Sequence, residues 1–554
     1  MRIALAQINT TVGDFAGNTR KILRAIDDAK QRRADLVVFP ELALCGYYPG
    51  DLLLRDDFID AQRKYLAQIM SHCEGIAAIV GFAERQTAPF STVGGAGRRC
   101  DGATRYNAAA FLADERHCAT YRKRTLPSYD VFDEQRHFTS GAAPGVFVHG
   151  GRRIGVLICE DVWDDETCSS LISQRLDACV VINASPFSTG KQAERATLLK
   201  QRARSLGCPL VYCNLVGAND HVLFEGRSMA VSQDGVLVQA ASFREDLILF
   251  DLVAVPNRAS GLRSEQVAQH FSSDRIADIH DALVMGIRDY ARKNGFSDVV
   301  LGLSGGIDSA VTCALAASAL GPEHVHAFLL PSRYTSERSV RDARAVAQSL
   351  GVRLETRSIE DIHEAYEPLE LRGVADQNVQ ARIRMSVLMA QANALGALLL
   401  ATGNKSELAT GYCTLYGDLA GAIAPLGDVF KTDVYALARY INKQRNAERQ
   451  AQTFAGAIPP SVMKRAPSAE LAPGQKDQDT LPAYSILDRV LSYYLIEGLC
   501  AQDIVRKGFS AVLVRRVLAL AAKAEHKRRQ APIVLRVSEK AFGHGRRVPV
   551  TMKH

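Results

Sequence analysis

Short apolar runs recur along the chain, each closed by polar or turn residues and followed by a longer stretch of helical character. Met1 to Ile8, Leu36 to Phe39, Ala77 to Phe82, Ile154 to Cys159, Val180 to Asn183 and Leu210 to Asn214 are rich in β-forming residues and too short for helices. Their alternation with helical segments predicts an α/β region up to about residue 260. Pro256 to Ser264 is short, polar and turn-rich, and a new helical pattern begins near Asp274. This places domain boundaries at 1–260 and 270–554. Beyond them, strands predicted at Val299 to Leu303, Val325 to Leu330 and Leu398 to Ala401 alternate with helices at Ala310 to Leu320, Ser336 to Leu350 and Asn378 to Leu395. That order predicts a doubly wound parallel sheet. Arg465 to Pro482, rich in Pro, Asp and Gln, reads as a long loop over a site, and no internal repeat is present.

Composition changes this picture little. A chain of 554 residues exceeds one core and suggests two large domains or three to four small ones. The charged fraction of 23% and apolar fraction of 47% are those of an ordinary globular protein, which excludes extensive disorder. A net charge of +7 suits anionic small molecules and is too small to argue for nucleic acid. The 12 cysteines show no CxxC pair and no zinc-like spacing, which fits a reducing cytoplasm. The N-terminus reads as a strand, with neither a signal peptide nor a membrane span.

The most specific chemistry lies at Ser304-Gly305-Gly306-Ile307-Asp308-Ser309, between a predicted strand and helix. Two glycines let the backbone approach a ligand, while Ser304, Ser309 and the helix N-terminal N–H groups offer donors to phosphate. Asp308 is placed to hold a magnesium ion. No Walker A pattern occurs. The motif resembles the SGGxDS pyrophosphatase loop of enzymes that split ATP between its α and β phosphates. On that resemblance Leu303 to Ala310, in full Leu303, Ser304, Gly305, Gly306, Ile307, Asp308, Ser309 and Ala310, contact ATP.

In the first half, Cys159 closes an apolar run and precedes Glu160-Asp161-Val162-Trp163. Taken alone it fits a buried core thiol at least as well as a nucleophile. Three segments together point further: Phe39-Pro40-Glu41-Leu42-Ala43-Leu44, Tyr121-Arg122-Lys123 and Cys159-Glu160-Asp161. Their order and approximate spacing resemble the nitrilase, or carbon-nitrogen hydrolase, superfamily. The resemblance implies an αββα sandwich and a Glu41-Lys123-Cys159 triad. Glu41 would take the thiol proton and hand it to leaving ammonia, which favours a carboxylate raised by burial. Lys123 and the N–H of Glu160 would hold the oxyanion, and Glu134 would orient substrate.

A finer match covers almost the whole chain. Leu126 to Glu134 and Asn183-Ala184-Ser185-Pro186-Phe187 with Gly190-Lys191 resemble the glutaminase domain of the glutamine-dependent NAD synthetase family. By position, Tyr129, Ser185 and Lys191 would contact glutamine. Leu215 and His221 depart from the family pattern, which shows a glutamine and a glutamate there, and so does Cys45, where threonine is common. In the second half, Asn378 to Met385, Thr402-Gly403-Asn404-Lys405-Ser406-Glu407, Phe430-Lys431-Thr432-Asp433, Pro467-Ser468-Ala469-Glu470-Leu471 and Glu525 to Pro532 come in family order. The resemblance implies a Rossmann-like adenine-nucleotide hydrolase fold. Thr402, Lys431 and Ser468 would bind ATP; Asn378, Arg384, Glu407 and Lys527 would bind deamido-NAD; Asp308 and Glu407 would hold Mg2+. Bare, the basic cluster at 525–532 is a solvated helix end or a nucleic-acid patch, and the lack of interleaved aromatics counts against the latter. Leu415 stands where smaller ammonia-using relatives often carry lysine.

The expected reaction is hydrolysis of glutamine and amidation of deamido-NAD through an ATP-derived adenylate. Partners would be these small molecules and a second copy of the chain, without nucleic acid or membrane, and an enclosed tunnel would carry ammonia. Other SGGxDS enzymes adenylate tRNA, citrulline, xanthylate or aspartate, and the nitrilase-like half argues against them. A nucleotide-sensing scaffold is the remaining alternative, disfavoured because every triad residue type and the whole loop are present.

Overall fold

A computed structural model of the protein describes residues 1–86, 104–255, 258–264, 274–448 and 457–552. The chain forms two compact units, Met1–Asn219 with Leu223–Ser272, and Asp220–Val222 with Ser273–His554. The first unit contains strands β1 Arg2–Gln7, β2 Leu36–Val38, β3 Ala77–Gln86, β4 Thr104–Ala113, β5 Arg116–Arg122, β6 Gly145–His149, β7 Arg152–Ile158, β8 Ala178–Asn183, β9 Leu210–Asn214, β10 Val216–Asn219, β11 Val222–Glu225, β12 Met229–Val231, β13 Val236–Gln239, β14 Asp246–Val255 and β15 Arg258–Arg263. Seven strands form one sheet in the order β15-β14-β1-β2-β3-β4-β5, and six form another, β13-β12-β9-β8-β7-β6.

The period-two rule explains how these sheets stack. On β1, Ile3 and Leu5 join one core with Leu36 and Val38 of the same sheet and Ile154, Val156, Ile158 and Val180 of the other. Ala4 and Ala6 face the opposite way, into a second core with Ile22 and Ile26 of helix Phe15–Gln31 and Ile69 of helix Asp56–Ser71. Helix Lys191–Leu206 covers the outer face of the second sheet through Leu199 and Ala203. The result is the αββα sandwich that the nitrilase resemblance implies. Both faces of each sheet are buried, which is why the central strands read as near-continuous apolar runs. The turn-rich stretch around 256–264 differs from its sequence reading: Arg258–Arg263 is an edge strand paired antiparallel with β14, while 256–257 lie outside the described residues. Ser260 and Gly261 weaken a central strand and are tolerated at an edge.

The second unit is built on a parallel sheet of β16 Val299–Gly302, β17 Val325–Leu329, β18 Arg353–Thr356 and β19 Leu398–Leu399, in the order β18-β17-β16-β19. From β16 the chain winds outward to β18 and then returns to β16's other side. The strand order therefore reverses between β16 and β19, and the crevice beyond their carboxyl ends is where such sheets take ligands. Helices Arg275–Lys293 and Glu337–Leu350 start where the sequence places them, capped by Asp274 and Ser336. Residues 465–482 form a long loop with a single 3-10 turn at Asp477–Asp479. Among the described residues, no helix is long and apolar enough to cross a membrane.

Candidate active sites

In the first unit, the ends of β2, β5 and β7 deliver Glu41, Lys123 and Cys159. Each lies just beyond the carboxyl end of its strand. Lys123 is fully buried and its Nζ donates to Glu41 Oε1 at 2.8 Å and to Glu134 Oε1 at 2.9 Å. A buried ammonium has three protons to place, and these two bonds leave one for another acceptor. Burial would lower the Lys123 ammonium's pKa, but Glu134 and Glu41 override it, and the net direction is upward. Lys123 therefore stays charged.

Asn107 on β4 ties the pair together. Its Nδ2 donates to Glu41 Oε1 at 2.7 Å, and its carbonyl accepts the Lys123 N–H at 2.8 Å. Glu41 Oε2 accepts from the Ala184 N–H at 2.9 Å. Gly81 of β3 passes so close that a Cβ there would stand 2.3 Å from the Pro40 carbonyl oxygen and 2.5 Å from the Leu42 nitrogen. Only glycine lets β3 lie against the turn carrying Glu41.

Cys159 has φ 48°, a left-handed conformation uncommon for a residue with a Cβ and frequent where strain serves a site. Burial first, then the Glu41 charge, pushes its thiol well above the ordinary value, with Lys123 opposing. Cys159 thus rests as a thiol, and to act as a nucleophile it would need a neighbouring base to take its proton. The Asp161 carboxylate accepts from the N–H groups of Ile158, Arg124 and Thr125 and from the Tyr121 hydroxyl, joining the turn of Cys159 to the segment of Lys123.

Glu134 sits in a 3-10 turn, fully buried, and accepts from Tyr47 as well as Lys123. Burial raises its pKa to about 7, Lys123 opposing and Glu41 reinforcing the shift. Its Oε2 is buried without a hydrogen-bond partner among the described groups. Tyr129 is 56% exposed and its hydroxyl donates to both oxygens of Glu160. Lys191 pairs with Glu194 and lies over the Trp163 ring. Ser185 bonds through its N–H to Asn214 and accepts at Oγ from the buried Arg195. Cys45 is buried, its thiol pushed up to about 12 by desolvation. Leu215 is buried at the end of β9, and His221, in the second unit, stacks on His544.

In the second unit the loops after β16 and β19 meet. Asn404 Nδ2 donates to Asp308 Oδ1 at 2.9 Å. Lys431, at the start of helix Lys431–Glu448, donates to Asp308 and to Glu407 Oε1, and its ammonium lies over the Tyr484 ring. Burial works against that ammonium, yet Asp308 and Glu407 raise its pKa overall. Glu407 is pushed up to about 8, chiefly by burial. Gly305, with φ 81°, lies against the Ser339 carbonyl oxygen, 2.3 Å from where a Cβ would stand. Ser304 and Ser309 bond to one another and to the loop backbone, and helix Ile307–Leu320 begins at once, so Leu303 through Ala310 surround a helix N-terminus. Thr402 follows the carboxyl end of β19.

Other sequence-nominated residues are engaged differently. Asn378 accepts from the Thr414 hydroxyl. Arg384 turns its guanidinium inward to the Leu330 carbonyl and Ser332 Oγ, while Arg382 bonds the Leu415 carbonyl. Ser468 donates to the Gln475 carbonyl and accepts from Glu470 N–H, folding its own loop. In the basic cluster His526 and Arg529 are exposed, while Lys527 and Arg528 turn inward. Lys527 donates to the Gly411 and Cys413 carbonyls, and buried Arg528 to those of Leu408, Ala409 and Ala521 and to Glu525. Cations there close the carboxyl end of helix Lys405–Thr410. Sequence reasoning missed Asn107, Asp161, Arg195 and Asn404. Nothing in their spacing marks them, although Asn404 and Asp161 sit inside quoted motifs.

Residues 2–255 match the carbon-nitrogen hydrolase family and residues 279–531 the NAD synthase family. The glutamine-dependent NAD(+) synthetase of Thermotoga maritima is 39% identical over 594 residues, covering 100% of this chain and 98% of that protein. That of Xylella fastidiosa is 42% identical, with coverage of 100% and 98%. The structure of the Acinetobacter baumannii glutamine-dependent NAD+ synthetase in complex with ADP superposes with a TM-score of 0.75 at 37% identity, covering 99% of this chain and 98% of that one. With both catalytic families in one chain and relatives matching from end to end, the protein belongs to the glutamine-dependent NAD(+) synthetases, ligases that pair a glutaminase with an NAD synthase.

Proposed function

We propose that Cys159 attacks the side-chain carbonyl carbon of glutamine while Glu41 takes the thiol proton. The oxyanion receives the remaining Lys123 proton and the Glu160 N–H. Glu41 returns its proton to the departing nitrogen, the C–N bond breaks, and ammonia leaves a glutamyl thioester that water converts to glutamate. Glu134, through Oε2, orients the substrate amide. The Glu160 carboxylate, with the Tyr129 hydroxyl donating to it, suits an α-ammonium group, and Ser185 and Lys191 suit the α-carboxylate.

In the second unit, a nicotinate carboxylate oxygen of deamido-NAD attacks the α-phosphorus of ATP and pyrophosphate departs. Ammonia then attacks the activated carbonyl carbon and AMP leaves. The loop 303–310, Thr402, Lys431 and Ser468 serve ATP; Asn378, Arg384, Glu407 and Lys527 serve deamido-NAD. Asp308, Glu407 and Asp477 act electrostatically on the single Lys431 ammonium, and Glu407's raised pKa reflects crowding and burial of negative charge. Such hard oxygen donors fit Mg2+, held by Asp308 and Glu407. Among the described residues no three acidic, histidine or cysteine side chains converge as a ligand set, so phosphate oxygens would complete it. The ion supplies charge neutralisation of the phosphates. Enclosed transfer of ammonia suits the chemistry because free ammonia is mostly protonated at pH 7; free dilution of glutamine nitrogen by labelled ammonium would overturn it. A homo-oligomeric assembly in the cytoplasm completes this reading.

The observation carrying the proposal is that one chain holds both the buried Glu41-Lys123-Glu134 cluster beside Cys159 and the Asp308-Asn404-Lys431 junction at the switch point. NAD formation from deamido-NAD, ATP and Mg2+ tests it, with glutamine or ammonium chloride as donor. Cys159→Ala is expected to lose the glutamine-driven reaction and keep the ammonia-driven one. Failure of the wild type with both donors overturns the substrate assignment.

A further inference from the structure

Asp488 lies on helix Tyr484–Leu495, is 4% exposed and belongs to no motif that singled out the site. Both of its oxygens reach other elements. Oδ1 accepts from the Ser406 hydroxyl at 2.6 Å and Oδ2 from the Thr432 N–H at 2.9 Å. Ser406 Oγ, its proton held by Asp488, accepts in turn from the Lys431 N–H at 3.0 Å. These two N–H groups open helix Lys431–Glu448, where backbone donors have no partner within the helix. Such an end is ordinarily closed by the side chain of the residue just before it. Here Val429 and Phe430 carry no acceptor, and the carboxylate of Asp428 is engaged with Lys405, Val537 and Ser538. The cap therefore comes from two other helices.

What the cap fixes is the register between two charged side chains of the crevice. Ser406 precedes Glu407, and the Lys405 N–H donates to the Val429 carbonyl at 2.9 Å, so the chain leading to Lys431 lies along the start of helix Lys405–Thr410. Across that contact the Lys431 ammonium reaches Glu407 Oε1 at 3.3 Å and also Asp308. A lysine stem is long and flexible and holds its ammonium no better than its backbone is held. With Ser406 on the Lys431 N–H and Asp488 on the next one, that backbone moves only together with the segment carrying Glu407. Both partners of Asp488 are donors, so an acceptor-only carboxylate fits where an amide of the same shape does not. The dipole of the helix favours a carboxylate at this end as well.

We propose that Asp488 is a positioning residue for adenylation: through the Ser406 hydroxyl and the Thr432 N–H it holds the first turn of helix Lys431–Glu448, and so the Lys431 ammonium, in register with Glu407 and Asp308. This deepens the synthetase reading above and rests on its assignment of Lys431 to ATP. Asp488 acts through these groups and touches no reacting atom. Negative charge moves onto pyrophosphate as it departs, so an ammonium in place counts for more in the transition state than in the ground state. Its displacement lowers kcat and leaves KM for ATP in place.

The test follows NAD formation from deamido-NAD and ammonium chloride in the full chain, with ATP varied in the presence of Mg2+, for wild type, Asp488→Asn, Ser406→Ala, the Asp488→Asn/Ser406→Ala double variant and Lys431→Met. Asp488→Asn is expected to lower kcat about tenfold, the order of one hydrogen bond to a charged group, at unchanged KM for ATP. Asparagine has the shape of aspartate, so a residue needed for packing alone would keep kcat. Ser406→Ala should lower kcat by a similar factor, and the double variant should be no worse than the less active single variant, because both residues act through one helix start. A wild-type kcat in Asp488→Asn, multiplicative losses in the double variant, or a raised KM at unchanged kcat overturn the inference. If Asp488→Asn fails to fold, Ser406→Ala, which deletes a single oxygen, decides: a wild-type kcat there overturns it. Lys431→Met with the wild-type kcat is a different result and defeats the assignment of Lys431 to ATP itself.

Discussion

Asn404 Nδ2 donates to Asp308 Oδ1 at 2.9 Å, and this bond joins the loop after β16 to the loop after β19 across the sheet's switch point. Asn404 also caps helix Lys405–Thr410, accepting from the Glu407 N–H at 3.1 Å while Glu407 returns a bond to the Asn404 N–H. One buried carboxamide thus sets the positions of Asp308 and Glu407 together. Asn404→Ala removes a cap and a bond to a carboxylate, a loss of about 1.5–3 kcal/mol. The expected outcome is a matching fall in kcat/KM for ATP with either nitrogen donor, while ammonia release from glutamine is unchanged.

Lys123 is the only cation bonded to Glu41 and Glu134 among the described side chains. Lys123→Met keeps the length of the side chain and leaves two buried carboxylates facing one another. Removing one member of a buried ion pair costs about 3–5 kcal/mol. Urea unfolding should show that loss in the first transition, and lowering the pH should recover part of it as the carboxylates take up protons. Undiminished stability at pH 7 would contradict the buried cluster.

Glu134 gives a signed pH dependence. Its pKa rises from the ordinary 4.5 to about 7 on folding, mainly through burial. Between those values the folded chain binds more protons than the unfolded chain, so stability from this group is full below pH 4.5 and lost as pH rises toward 7. Glu134→Gln removes the titration. The stability of wild type relative to the variant should therefore decline across that window and be flat below it. A difference that increases with pH would show that Glu134 is ionised more readily in the folded state.

Gly305 is replaceable only at the expense of the loop. Its φ of 81° and the Ser339 carbonyl oxygen 2.3 Å from a Cβ position forbid a side chain, and that oxygen belongs to backbone. Gly305→Ala should lower ATP-dependent synthesis about 10- to 100-fold with both donors, as local strain of about 1–3 kcal/mol shifts the loop. Glutaminase activity measured in parallel serves as the control.

The central strands were legible because both faces of each are buried, leaving apolar runs such as Ile154 to Ile158 that few other elements produce. Arg258–Arg263 was not, since an edge strand needs no apolar face and its serine and glycine read as turn. The surroundings of Lys527 and Arg528 were not legible either, for a related reason. A basic run carries no mark of whether its partners are solvent, phosphate or, as here, the carbonyls of Leu408, Ala409, Gly411 and Cys413.

What the sequence by itself determined is the family and the segments that carry its resemblance: those of Glu41, Lys123, Cys159 and the SGGIDS loop are recognisable because local chemistry and chain order carry them. Tertiary structure alone decided their states. Cys159 rests as a protonated thiol, Lys123 stays an ammonium although buried, and Glu134 rises to about 7, because desolvation and neighbouring charge depend on atoms brought together from distant positions. The same holds for Asn107 and Asn404. Their amide groups gain a role only where folding sets them within about 3 Å of a functional atom, a distance that hydrogen bonding requires and sequence spacing does not encode.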